Sequence, residues 1–243
     1  MEVLGHTREL IASEKAGILK RGVPAVLGLV RGDPAAGVIA DRAAQLQAPV
    51  HYLPEAQRRG FPEFNQDLAF EALGLLDARR RSAGEQIAAV APGDIAPPRL
   101  PARLEHLGAL KGVPIVLDGA HTPDSLESAL EVLGADPRLP GRPTVVFGTA
   151  RGKDAETMLK LLQVSADRVL CTSLDPTLHF SSEDLVAKAL EHGLEALNVS
   201  QPWTAVLTGV EQSAGRWLLV TGSLHLAGAL RSQIVCHQQK NRC

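Results

Sequence analysis

The chain has 243 residues, 45% of them hydrophobic, enough for one large domain or two ordinary ones, and this content excludes disorder over most of its length. Lys and Arg number 25 against 27 Asp and Glu, and a net charge of −2 gives no footprint for nucleic acid or an anionic membrane. The three cysteines, Cys171, Cys236 and Cys243, lack CxxC spacing, which argues against a disulfide framework or a zinc knuckle and points to a reducing, cytoplasmic compartment. No apolar run approaches the span of a bilayer, and MEVLGHTREL has no signal-like pattern.

Residues 8–19 (RELIASEKAGIL) place Leu10, Ile11, Ile18 and Leu19 at helical spacing behind Thr7, a suitable N-cap. Gly22 and Pro24 end that helix. PAVLGLV then reads as a strand, VIADRAAQLQ as a helix and VHYL as a second strand, giving a β-α-β rhythm. Residues 54–63 (PEAQRRGFPE) break the pattern, and FNQDLAFEALGLLDARRR restores it with Leu68, Ala72, Leu75 and Leu76 on one helical face.

Periodicity is lost between residues 82 and 102, where four prolines fall within the last eleven positions; this is the expected domain boundary. Beyond it VPIVLD, TVVFGT, RVLCTS and WLLVTGS are short apolar runs separated by helical segments such as SLESALEVL, AETMLKLLQV and SSEDLVAKALEHG. Strands apolar on both faces, alternating with helices, predict a parallel sheet covered on two sides. Ligands of such sheets bind outside the carboxyl ends of the strands, which singles out Asp118, Gly148, Thr172, Ser173, Gly222 and Ser223.

The sharpest motif is VLDGAHTPDSLESAL at residues 116–130, a strand ending in Asp118 that turns through Gly119 and presents His121 just before a helix. A carboxylate there can accept ribose hydroxyls, and imidazole with helix-terminal amides can face an anion. The plainer alternative is that both side chains cap the turn and the helix. In EKAGILKRG, at residues 14–22, Lys15 shares the spacing of Ile11 and Ile18, so its stem is expected on their apolar face, with either a functional partner or a snorkelling ammonium. Lys20 and Arg21 read as a solvated helix end, and Arg79, Arg80 and Arg81 as solvated surface. His51, His106, His179, His192, His225 and His237 show no zinc spacing and are read as structural or surface residues.

LGHTRELIASEKAGILKRGVPAVLG, followed about a hundred residues on by LDGAHTPDS, resembles the folylpolyglutamate and dihydrofolate synthases of the Mur ligase superfamily. PARLEHLG, NQDLAFEALGLL and TGSLHLAGALR support the likeness in order and spacing. The resemblance implies the α/β fold of these ligases: a partial central domain at residues 1–81, a linker at 82–102 and a Rossmann-like, mostly parallel carboxy-terminal domain at 103–243. It further implies an ATP- and Mg2+-dependent amide ligase that phosphorylates a folate or dihydropteroate carboxylate and joins it to L-glutamate. By residue, Lys15 matches a carbamylated lysine that helps hold magnesium, and Asn65 and Arg103 match positions that contact ATP. Asp118 matches the nucleotide-binding carboxylate and His121 the histidine of the reacting centre, while Ser223 and Leu224 fall in the late turn lining the same cleft.

The departures from the family pattern are specific. His-Asn-Pro is His121, Thr122 and Pro123 here, and the GxHQxxN segment is replaced by Gly60, Phe61 and Pro62 ahead of Asn65. No Gly-Lys-Ser or Gly-Lys-Thr P-loop occurs; Gly152 and Lys153 read as a surface cap, and His6 matches a variable position rather than a metal ligand. The expectation is an amino-terminally incomplete ligase without catalytic activity of its own. The alternative is a non-catalytic protein that binds a nucleotide or folate.

Overall fold

The computed structural model describes residues 7–53, 61–85, 100–213 and 215–240. The chain divides into two compact units, Met1–Pro98 and Arg99–Cys243. Most of the expected 82–102 boundary lies outside the described residues, as does His6.

In the first unit, helix α1 (Arg8–Lys15) starts at Thr7, whose side chain accepts the Leu10 amide, and continues as a 3₁₀ turn over Ala16–Ile18. Strand β1 (Ala25–Leu27), helix α2 (Pro34–Gln45) and strand β2 (Val50–Tyr52) form the β-α-β unit, with β1 and β2 parallel. Helix α2 begins four residues before the apolar pattern, because Asp33 caps it at the Ala35 amide and Pro34 occupies the first turn, where no N–H is needed. Helix α3 (Phe61–Ser82) also starts before the expected residue, and Pro62 sits within its first turn for the same reason. The predicted face forms in part: Leu68 closes on Gly28 together with Phe64 and Leu75 is half-buried, whereas Ala72 and Leu76 are exposed.

The second unit holds a six-stranded sheet of β3 (Glu105–Leu110), β4 (Val113–Leu117), β5 (Thr144–Phe147), β6 (Arg168–Cys171), β7 (Ala196–Asn198) and β8 (Leu218–Thr221), in spatial order β3-β4-β8-β5-β6-β7. Every pairing is parallel except β3 with β4, a hairpin turned through Lys111 and Gly112 at φ 49° and 83°. The expected α/β class with a mostly parallel sheet is what forms.

Alternate residues of the central strands feed two separate cores. Val116, Val145, Phe147, Val169, Cys171 and Leu219 pack with helices α4 (Pro123–Gly134), α5 (Ala155–Ser165) and α6 (Ser182–Glu191) on one face. Ile115, Leu117, Val146, Leu170, Leu218 and Val220 meet helices α7 (Pro202–Gln212) and α8 (Leu224–Lys240) on the other. Burial on both faces is why these strands read as continuous apolar runs. Among the described residues no helix is long and apolar enough to cross a membrane.

Candidate functional site

Strand β4 ends at Leu117, and the next residue, Asp118, continues the ladder by donating its amide to the Val220 carbonyl at 3.0 Å. Its side chain is only 5% exposed and accepts two backbone N–H groups, Leu104 at 2.9 Å on Oδ2 and Ala120 at 2.9 Å on Oδ1. Burial raises the carboxyl above the ordinary aspartate range. The two amides and the nearby charges of Arg103 and His121 oppose that shift without cancelling it.

Arg103 is exposed and sits between two residues with left-handed backbones, Ala102 at φ 53° and Leu104 at φ 46°. Each such residue costs about 1 kcal/mol when it is not glycine, so the turn persists only because its polar groups are tied down. Ala102 accepts the Gly119 amide at 2.8 Å, and the Arg103 amide reaches the Leu100 carbonyl at 3.3 Å. A side chain at Gly119 would crowd the turn: a Cβ there would lie 2.7 Å from Leu224 Cδ1, 3.2 Å from Leu224 Cα and 3.3 Å from the Ala102 carbonyl oxygen.

His121 is half-buried with Nδ1 3.1 Å from the Gly119 carbonyl oxygen. A carbonyl only accepts, so Nδ1 carries the proton, and in the neutral ring Nε2 carries the lone pair. Thr122 caps α4 in a reciprocal box with Ser125, and Ser125 Oγ also accepts the His121 amide at 3.2 Å. The hydroxyl that stands in for the family's asparagine therefore keeps the cap. The same bonds engage the His121 and Thr122 amides, so these two are not turned toward an anion as expected from the motif.

The carboxyl ends of β5, β6 and β8 carry a second feature. Thr149 Oγ1, Ser173 Oγ, Thr221 Oγ1 and His179 Nε2 are buried without a hydrogen-bond partner among the described residues. Thr149 and Ser173 follow Phe147 and Cys171 by two residues, and Thr221 is directly opposite Phe147. His179 joins them through an antiparallel bridge to Ala150, with Phe180 donating its amide to the Thr149 carbonyl. A buried polar atom left unpaired costs about 1–3 kcal/mol, and four of them gather at the carboxyl end of the sheet. Ser173 was legible as a strand-end residue; His179, read as structural or surface, lies at the same edge.

Gly148 and Gly222 let these strand ends approach. A Cβ on Gly148 would fall 2.7 Å from the Thr172 carbonyl oxygen, and one on Gly222 2.7 Å from that of Gly148. Ser223 follows, with its Oγ accepting the Leu226 amide at 3.4 Å in the first turn of α8, while Leu224 is exposed.

Asp118, Arg103 and His121 thus meet in the second unit. Lys15 and Asn65 belong to the first, where both are exposed. The apolar face expected to cover the Lys15 stem does not form, since Ile18 is 79% exposed. Among the described residues no three His, Cys, Asp or Glu side chains come together as a metal site. The described residues do not by themselves fit the magnesium centre that the resemblance implies, and no step is assigned to one.

Fold and site together define an open α/β domain with Arg103, Asp118 and His121 gathered at the carboxyl edge of a mostly parallel sheet. The profile of the Mur ligase, glutamate ligase domain matches residues 102–224, about half of the chain, and the chain belongs to this family. Folylpolyglutamate synthase of Lacticaseibacillus casei is 30% identical, over 96% of this chain and 59% of its own length. Escherichia coli FolC in complex with DHPP and ADP superposes with a TM-score of 0.78 at 23% identity, covering 98% of this chain and 59% of that one. The bifunctional folylpolyglutamate synthase/dihydrofolate synthase of Yersinia pestis, complexed with AMPPNP and Mn ion, gives 0.75 at 24% identity, covering 95% and 58%. The chain spans about three fifths of the length of these relatives.

Proposed function

We propose that the chain carries the carboxy-terminal half of an ATP-dependent amide ligase that joins L-glutamate to a folate or dihydropteroate through an acyl phosphate. The observation that carries this reading is the convergence of Arg103, Asp118 and His121 on one edge of the matched domain. ATP, when bound, supplies the phosphoryl group that activates the carboxylate. The exposed Arg103 guanidinium holds phosphate charge, and Asp118 accepts a sugar hydroxyl on a lone pair not used by the backbone. His121, with Nδ1–H donated to the Gly119 carbonyl, offers Nε2 as a proton acceptor to the incoming ammonium or amine when the ring is neutral. The compartment we assign with it is the cytoplasm, on the unpaired state of Cys171 and Cys236.

No Gly-Lys-Ser or Gly-Lys-Thr sequence lies within the 243 residues, so no turnover is expected from them alone. That absence also favours the second reading, a protein that binds nucleotide or folate without turnover. Two measurements separate the readings. Glutamate incorporation into dihydropteroate or a folate by the purified chain, in the presence of ATP and magnesium, would overturn the expected inactivity. Calorimetric titration with ADP should show saturable binding that weakens about tenfold or more in Arg103→Ala, the loss expected for one charge-assisted phosphate contact. No heat with the unaltered chain, or equal affinity in the variant, would remove the nucleotide assignment.

A further inference from the structure

The turn that presents Arg103 is tied to a helix from the far end of the chain. Arg231, in α8, grips Glu105 with two parallel bonds, Nε to Oε2 at 2.9 Å and Nη2 to Oε1 at 2.9 Å, across 126 positions of sequence. The same Glu105 Oε2 accepts the Ala102 amide at 2.8 Å. Ala102 in turn accepts the Gly119 amide, and Leu104 donates to Asp118, so a continuous path runs from α8 through the turn to the buried carboxylate. Neither Ala102 nor Leu104 has a side chain suited to its positive φ, and the Glu105 carboxylate is the group that holds the first of them. A guanidinium fork fixes that carboxylate in position and angle in a way that an ammonium could not.

We propose that Glu105 and Arg231 are positioning residues for ligand binding: a brace that keeps the Ala102–Leu104 turn in its left-handed course, and through it aims Arg103 at the phosphate and seats the Leu104 amide on Asp118. The part of this concerning phosphate rests on the nucleotide reading above. The brace itself rests on the hydrogen bonds. Direct contact of either residue with the ligand is not required. The hydrogen bond from Arg231 holds the Glu105 carboxyl below its usual range against the effect of burial.

The test is a double-mutant cycle read by ADP calorimetry and by amide hydrogen exchange on the full chain. Arg231→Ala should weaken ADP about tenfold when Arg103 is present and less than about twofold in an Arg103→Ala background, because residues acting through one another are not additive. Arg231→Lys should recover only part of the affinity. A merely structural pin between α8 and β3 would lower the melting temperature but cause the same fractional loss in both backgrounds, and that outcome overturns the proposal. Exchange supplies the second readout: the Ala102 and Leu104 amides should exchange at least about tenfold faster in Arg231→Ala and Glu105→Ala, while the α5 amides keep their protection. Unchanged exchange at those two amides would sink the brace whatever ADP does. If the unaltered chain does not bind ADP and the two amides still loosen, the brace stands and the nucleotide reading falls.

Discussion

Gly222 lies directly against the ring of Phe147: a Cβ added to it would come within 2.7 Å of Phe147 Cε2 and within 2.7 Å of the Gly148 carbonyl oxygen. Its φ of 98° is one that L side chains rarely adopt. Strain and overpacking therefore act together in Gly222→Ala, which should destabilise the domain by about 2–4 kcal/mol in urea unfolding. Gly228→Ala, in α8 with nothing near its missing Cβ, should change stability by less than about 1 kcal/mol and serves as the control. Equal stability of the two variants would mean that β5 and β8 do not approach as closely as described.

Asp118 should titrate above the ordinary aspartate value, because burial outweighs the two amides that favour its charge. A carboxyl raised in the folded state contributes stability that is full below its unfolded pKa and is lost as pH rises through the folded one. Ionisation of Asp118 therefore works against folding at neutral pH, in the opposite direction to Glu105, whose lowered value favours folding above its unfolded pKa. Carboxyl carbon NMR should show the Asp118 midpoint high in the unaltered chain and higher still in Arg103→Ala, where a neighbouring positive charge is gone. A midpoint at or below the ordinary value would contradict the burial described.

Burial pushes the Cys171 thiol up to about 12, and the side chain lies inside the core shared with α5 and α6. At pH 8 its thiolate fraction is about one in ten thousand, against a substantial fraction for an ordinary exposed thiol. Cys236 is exposed. Iodoacetamide at pH 8 should modify Cys236 and spare Cys171 in the native protein, with both modified in urea, as read by peptide mass mapping. Native labelling of Cys171 at a rate comparable to Cys236 would show that the sheet opens locally far more than its packing implies.

The parallel sheet was legible because its central strands are apolar on both faces, and Asp118 and His121 because they follow such a strand and precede a capped helix. Strand β3 was not, since EHLGAL alternates weakly, carries Gly108 at φ 79° within a register shift and lies at an edge half open to water. The exposure of Ile18 escaped the spacing argument because spacing tells which residues share a face, not whether any element packs on it. The unpaired hydroxyls of Thr149, Ser173 and Thr221 come from three strands that are adjacent in space but scattered in sequence, so no local spacing announces them. Their one sequence signal was a hydroxyl residue at or just after an apolar strand, which had picked out Ser173. Glu105 and Arg231 gave no signal at all, because a pair so distant in sequence is defined only by the fold.

Because β3 runs against its neighbours, the chain enters the second unit at the same edge where the parallel strands end. Leu100, 57% exposed, accepts the Arg103 amide on its carbonyl, so the doorway of the domain and the guanidinium proposed to hold phosphate are a few residues apart. A fluorophore placed on that residue would sit beside the proposed nucleotide site without replacing any group assigned to it. The antiparallel first strand thus turns the point of entry into a reporter of occupancy, readable by light in a chain that need not turn over.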